Sequence, residues 1–221
     1  MMTRKEIAKF IDHTLLRSSA TPADIKKICD EALKYSFASV CVNSYYVKLC
    51  KEYLKESNIK VATVIGFPLG ANTLKTKVFE AKEAFENGAD EIDMVINIGA
   101  MLSGNTDYVY EEIKSIVDVA KEYSNKIVKV IIETSELDNE KKIEACKIAA
   151  AAGADYVKTS TGFSKSGAKY EDILLMRKAV GSKVKIKASG GIRTFEDALL
   201  MIQAGASRIG TSNGVAIVGG E

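Results

Sequence analysis

Eight short runs rich in β-branched residues alternate with longer amphipathic stretches along the whole chain. That rhythm restricts the fold more than any single motif does. The strand-like runs are Phe10–Leu15, Ala38–Asn43, Lys60–Gly66, Glu91–Asn97, Ile127–Glu133, Tyr156–Thr159, Val184–Ser189 and Arg208–Thr211. Helix-like stretches lie between them at Asp24–Lys34, Tyr45–Ser57, Thr73–Asn87, Tyr108–Tyr123, Asn139–Ala152, Tyr170–Val180 and Phe195–Ala204. Each has about the length of a helix that crosses over between parallel strands. Asn87-Gly88-Ala89-Asp90, Ala152-Gly153-Ala154-Asp155 and Ala204-Gly205-Ala206-Ser207 each close a helical pattern just before a strand, and glycine suits the left-handed residue that ends a helix. Thr21-Pro22-Ala23-Asp24 and Thr194-Phe195-Glu196-Asp197 place a threonine three residues before an aspartate, a capping signal at a helix start.

This pattern, with no linker or break in composition, predicts an α/β chain folded as a single-domain (β/α)8 TIM barrel over residues 1–221, with a short N-terminal helix. A doubly wound open sheet is the alternative. Against it, no Gly-x-Gly-x-x-Gly follows the first strands. At 221 residues the chain is shorter than the ~250 typical of the barrel, so its loops must be short.

The bulk composition excludes several classes. A net charge of +2, from 31 basic and 29 acidic residues, argues against nucleic acid or an anionic membrane as the main partner. No apolar run approaches the roughly 20 residues of a membrane span, and Met1–Phe10 lacks a signal-peptide core, so a cytoplasmic location is expected. Cys29, Cys41, Cys50 and Cys146 contain no Cys-x-x-Cys pair, and with His13 as the single histidine they make a poor zinc set. Reduced thiols and a metal-free, cofactor-free site are the expectation.

In a barrel, chemistry collects at the C-terminal ends of the strands. The polar residues there are Asp12, Thr14, Cys41, Asn43, Asp93, Asn97, Glu133, Lys158, Lys187 and Ser212. Two of them are lysines, each followed at once by a glycine-bearing loop. Side chains alternate along a strand, so an inward Lys158, Lys187 and Asp93 would place two ammoniums and one carboxylate together near the barrel top. A neutral amine held among apolar groups, with a second ammonium beside it, is a nucleophile for a carbonyl, and the carboxylate can shuttle protons. Two lysines snorkelling to solvent would be the bland reading. Lys185 and Glu91 each lie one layer below, on the faces of Lys187 and Asp93. They are expected to form a buried ion pair there, with Lys129 as a further member.

Glycines suggest the rest of the pocket. The seventh strand ends in Ser189-Gly190-Gly191-Ile192-Arg193 and the eighth in Gly210-Thr211-Ser212-Asn213-Gly214, where barrels often hold a phosphate. Thr161 and Gly162, after the sixth strand, would close a third side. Asp12 and Thr14 share a face and could orient a substrate hydroxyl, whereas His13 faces the other way and is expected in the helical shell. Cys41 shares a face with Ser39 and Asn43, and two places are open to it: lining the pocket or simply packed. Glu133-Thr134-Ser135-Glu136 reads equally well as a solvated loop, and Met94 and Met101 as core.

Taken together, Asp12-His13-Thr14-Leu15-Leu16, Val40-Cys41-Val42-Asn43, Glu91-Ile92-Asp93-Met94-Val95, Val130-Ile131-Ile132-Glu133-Thr134, Val157-Lys158-Thr159-Ser160-Thr161-Gly162 and Lys187-Ala188-Ser189-Gly190-Gly191-Ile192-Arg193 resemble the deoxyribose-phosphate aldolase family, in order over nearly the whole chain. The resemblance implies a class I aldolase that needs no metal. It would cleave 2-deoxy-D-ribose 5-phosphate reversibly to D-glyceraldehyde 3-phosphate and acetaldehyde, and form a homodimer or homotetramer. It places the Schiff-base lysine at Lys158, the second lysine at Lys187, the proton-relay aspartate at Asp93, a pocket aspartate at Asp12, and phosphate loops at Gly190, Gly191 and Ser212. Two positions depart from the family. Val218-Gly219-Gly220-Glu221 lacks the C-terminal tyrosine that members often carry, and residue 213 is asparagine where some have a small hydroxyl residue.

Overall fold

All eight expected strands form, and they close on themselves. In the computed structural model, which describes residues 2–219, the order is α1 (Arg4–Ala8), β1 (Ile11–Leu15), α2 (Pro22–Tyr35), β2 (Ser39–Val42), α3 (Val47–Leu54), β3 (Lys60–Ile65), α4 (Leu74–Glu86), β4 (Glu91–Val95), α5 (Ile98–Leu102), α6 (Thr106–Lys121), β5 (Ile127–Ile131), α7 (Asn139–Ala152), β6 (Tyr156–Lys158), α8 (Tyr170–Val180), β7 (Lys185–Ser189), α9 (Phe195–Gln203), β8 (Arg208–Thr211) and α10 (Gly214–Ile217). Neighbours pair in parallel in chain order. The ring shuts where Asp12 on β1 aligns with Ser39 on β2 and with Gly210 on β8. Closure rules out the open-sheet alternative. The last two residues of the segment without a tyrosine, Gly220 and Glu221, lie outside the described residues.

The main core fills the layer between sheet and helices. Val40, Val61, Ile92, Met94, Val130, Val157, Ile186 and Ile209 turn outward from the barrel and pack with helix residues such as Ile25, Ile113 and Met176. Met94 and Met101 are both fully buried there, as expected. His13 also belongs to this shell: its Nε2 lies 2.6 Å from Glu31 Oε2 and its ring packs on Phe37.

Local signals in the sequence are realised as hydrogen bonds. Thr21 and Asp24 form a reciprocal capping box at α2, with Pro22 in its first turn, and Thr194 and Asp197 form another at α9. Gly88, Gly153 and Gly205 have φ of +100°, +92° and +117°, the left-handed region expected of the three connectors. Where the connector ends in aspartate it does more. Asp90 accepts the Val61 N–H and Asp155 the Val128 N–H, both at 2.9 Å, so each pins the start of the preceding strand.

The helix predicted at Tyr45–Ser57 is shorter: a 3-10 turn over Ser44–Tyr46 leads into α3. The short α5 and α10 carry no readable helical period. Asn97 Oδ1 starts α5 by accepting the Ala100 N–H at 3.0 Å. A buried Lys77–Glu112 pair, 2.6 Å apart, ties the adjoining loops together: Lys77 Nζ also donates to the Gly70 and Val95 carbonyls at 2.7 Å. Among the described residues no helix is long and apolar enough to cross a membrane.

Candidate active site

Side chains that turn into the barrel are charged where most barrels are filled with aliphatics. Asp12, Glu91 and Asp93 meet Lys129, Lys158, Lys187 and Arg208 in one connected network. Asp93 stands at its centre. Its Oδ2 accepts from Lys158 Nζ at 2.8 Å and from Lys187 Nζ at 2.7 Å, and its Oδ1 accepts from Lys129 Nζ at 2.7 Å. Lys187 Nζ also lies 2.5 Å from Asp12 Oδ2. One layer down, Lys129 pairs with Glu91 at 2.6 Å, and Arg208 bridges Glu91 and Asp12 at 3.0 and 2.5 Å. Ser39 Oγ donates to Asp12 Oδ1 at 2.6 Å.

The charges have a definite sum. Three carboxylates (Asp12, Glu91, Asp93) face four cations (Lys129, Lys158, Lys187, Arg208), so full ionisation leaves one positive charge in excess. The set balances when one amine is neutral. Burial pushes the Lys158 ammonium below the ordinary lysine range and Lys187 pushes the same way, against the opposite pull of Asp93. Burial also works against a charged Lys187, but Asp12 and Asp93 outweigh it and hold Lys187 above that range. Lys129 is raised as well, the attraction of Asp93, Glu91 and Asp12 overcoming its burial. Burial likewise opposes ionisation of Asp93 and Asp12, yet the surrounding cations keep both carboxyls well below the usual carboxylate range. Of the three lysines of the network, Lys158 is therefore the one whose proton is held least tightly.

Lys158 is also the member of this network that reaches open space. It lines a cavity of about 630 Å3 at the C-terminal ends of the strands, in the size range of small-ligand sites. Thr14, Thr161, Gly162, Gly190, Gly191, Gly210, Ser212 and Asn213 line the same cavity. Asp12, Asp93 and Lys187 lie beneath it, fully buried. Gly190 and Gly191 have φ of +84° and +77°. Ala168 N–H donates to the Ser189 and Gly190 carbonyls at 3.0 Å, which locks the loop after β6 against that turn.

Sequence reasoning missed several members and misplaced one. Lys185 does not pair with Glu91. It is exposed at the first residue of β7, with its ammonium 5.5 Å from the centre of the Tyr156 ring. Because β7 begins there, the layer below Lys187 is supplied by other strands: Lys129 from β5, as suggested, and Arg208 from the adjacent β8. Alternation offered a signal for Arg208, which lies two residues before Gly210. Gly167, Arg17 and Arg193 were missed too. A Cβ on Gly167 would meet the Gly190 carbonyl oxygen at 2.0 Å, a tertiary constraint with no local signature. Arg193 adds positive charge to the cavity wall, and Arg17 lines it while paired with Asp24 at 2.7 Å. Cys41 is packed against Ala62, Val64, Leu16 and Phe67, and burial pushes its thiol up to about 11. Glu133 and Thr134 are buried rather than solvated.

The model of the DeoC/LacD family of aldolases matches residues 7–219. The chain belongs to the DeoC/LacD aldolase family. Among its relatives is the deoxyribose-phosphate aldolase of Caldicellulosiruptor saccharolyticus, 82% identical over 217 residues, covering 98% of this chain and 99% of that one. The deoxyribose-phosphate aldolase of Thermococcus gammatolerans is 60% identical over 99% of this chain and 98% of its own length. A solved structure of the tetrameric deoxyribose phosphate aldolase of Aeropyrum pernix superposes with a TM-score of 0.91 at 35% identity, covering 98% of this chain and 91% of that one. An aldolase of this family has to activate a carbonyl carbon, and the buried amine on the cavity floor is chemically suited to that.

Proposed function

We propose that this aldolase cleaves 2-deoxy-D-ribose 5-phosphate reversibly to D-glyceraldehyde 3-phosphate and acetaldehyde, through a Schiff base on Lys158. The observation that carries the reading is a buried amine on the cavity floor, held below its ordinary pKa beside a glycine-lined wall. The neutral Nζ attacks C1 of the open-chain aldehyde, and loss of water gives an iminium ion. That ion is the electron sink. The C3 hydroxyl loses its proton, the C2–C3 bond breaks, and glyceraldehyde 3-phosphate leaves. The enamine that remains is protonated at C2, and hydrolysis frees acetaldehyde and Lys158. Asp93, whose Oδ2 accepts from both Lys158 and Lys187, carries these protons through water together with Lys187.

The phosphate lies against Gly190, Gly191, Gly162, Gly210, Ser212 and Asn213, where backbone N–H groups can approach an anion, with Arg193 and Arg17 at the rim. Asp12 and Thr14 complete the pocket beside β1. The whole chain acts as one catalytic domain, in the cytoplasm, as a homo-oligomer like its tetrameric relative.

The test is reductive trapping. Incubation with deoxyribose 5-phosphate and borohydride, followed by peptide mass spectrometry, is expected to place a substrate-dependent adduct on Lys158. An adduct on another lysine, or none, rejects the assignment.

A further inference from the structure

Glu133 has no place in the chemistry above, yet it is costly to keep. It is 1% exposed, and no cation pairs with it among the described residues. Its backbone is left-handed, with φ +52° and ψ +71°, a strained conformation for a residue other than glycine. A buried, unpaired carboxylate on strained backbone weakens a fold, so its retention calls for another purpose.

Its contacts supply one. A single oxygen, Oε2, accepts both donors of Thr161: the N–H at 3.1 Å and the hydroxyl at 2.6 Å. The Thr161 hydroxyl oxygen then accepts the Phe163 N–H at 3.0 Å. Gly162 lies between these two anchored N–H groups. Nothing among the described residues accepts its own N–H, its φ is +87°, and no heavy atom outside its chain neighbours lies within 4 Å of where a Cβ would be. Gly162 lines the open cavity, and its N–H is left without a partner there among the described residues. A second carboxylate of the same segment, Glu136, holds the far side of the loop through Lys165 at 2.8 Å.

We propose that Glu133 is a positioning residue for anion recognition. By engaging both donors of Thr161 it sets the turn so that the free Gly162 N–H presents to the phosphate of the substrate. The proposal rests on the reading of this cavity as a sugar-phosphate site. It makes Glu133 a determinant of the preference for phosphorylated over unphosphorylated substrate, acting through Thr161 and Gly162 rather than by touching the substrate.

The experiment compares kcat/KM for 2-deoxyribose 5-phosphate and for 2-deoxyribose in the wild-type chain, Glu133→Ala and Glu133→Gln. In Glu133→Ala the preference for the phosphorylated sugar is expected to fall about tenfold, the loss of one charge-assisted hydrogen bond, chiefly through KM. Glu133→Gln restores most of it, because an amide oxygen can accept the same two donors. An unchanged preference in Glu133→Ala, or a glutamine variant as impaired as alanine, overturns the proposal. Should Glu133→Ala fail to fold, Thr161→Val removes the hydroxyl with its links to Glu133 and to the Phe163 N–H while keeping the Thr161 N–H bond to Glu133, and an unaltered preference there overturns it equally. Should the wild-type chain not turn over the phosphorylated sugar, the functional reading fails instead. Dissociation constants for inorganic phosphate then carry the test, and equal values for wild type and Glu133→Gln but weaker binding by Glu133→Ala are expected. Equal values for wild type and Glu133→Ala overturn the role of Glu133.

Discussion

Lys158 and Lys187 are register partners on adjacent strands, and both ammonium nitrogens reach the same oxygen of Asp93. Two like charges side by side repel, and the structure resolves the conflict asymmetrically. Lys187 has a second carboxylate, Asp12, which holds its pKa above the ordinary lysine range; Lys158 does not, and burial holds its pKa below that range.

Replacing Lys187 by leucine tests that asymmetry. Removing its charge leaves Lys158 the stronger hold of Asp93, so the Lys158 pKa rises. Turnover at neutral pH is expected to fall by at least roughly 100-fold, with the acidic limb of the rate profile displaced to higher pH. The variant also leaves Asp12 less compensated, at a cost of about 3–5 kcal/mol. Steady-state kinetics across pH decide it. An unmoved limb would refute the coupling.

Stability should depend on pH in a predictable sense. Asp12 and Asp93 have depressed pKa values, so their contribution is present above the unfolded carboxyl value of about 4 and is lost as pH falls below it. Lys187 and Lys129 are raised, so their contribution is present below about 10.4 and lost as pH climbs past it. Lys158 is depressed, and its charged form therefore weakens the fold at lower pH and ceases to do so as it deprotonates. Thermal unfolding midpoints are expected to drop below about pH 4 and above about pH 10. A midpoint that is flat from pH 5 to 3 would contradict the network.

Gly210 matters for clearance as well as for the cavity wall. A Cβ there would lie 2.9 Å from Ser189 Cβ and 3.0 Å from Lys187 Cε. Gly210→Ala must push Lys187 off Asp93 or spread β7 from β8, at about 1–3 kcal/mol. A kcat reduced about tenfold or more is expected, together with an altered pH profile. Wild-type kcat would show that the site absorbs the methyl group.

Arg208→Met and Lys185→Met separate the buried cation from the exposed one. Arg208 neutralises Asp12 and Glu91, so its loss should cost about 3–5 kcal/mol and lower the melting temperature by roughly 10 °C. Lys185 is exposed, and its loss should stay within about 0.5 kcal/mol. Calorimetry on the two variants checks the pair, and similar melting temperatures would show that the lower ion layer is not as drawn.

Much of this was legible before the fold was known. Strand and helix order, the capping boxes and the glycine connectors are local, set by nearest-neighbour sterics and hydrogen bonds. Alternation along a strand sufficed to put Lys158, Lys187 and Asp93 on inward faces. It also tempted a reading of Lys185 as buried, because period two says which face a residue takes but not where the strand begins relative to its neighbours. Arg208 and Gly167 escaped notice, and the burial of Glu133 was not foreseen, for a related reason: each acts on residues of another strand or loop, 117 positions away in the case of Arg208 and Glu91. Local pattern in the chain was enough for the barrel, the nucleophile candidates and the glycine-rich wall. Only barrel closure separates the two lysines, lowering the pKa of Lys158 and raising that of Lys187, because a pKa depends on distances and burial that closure creates.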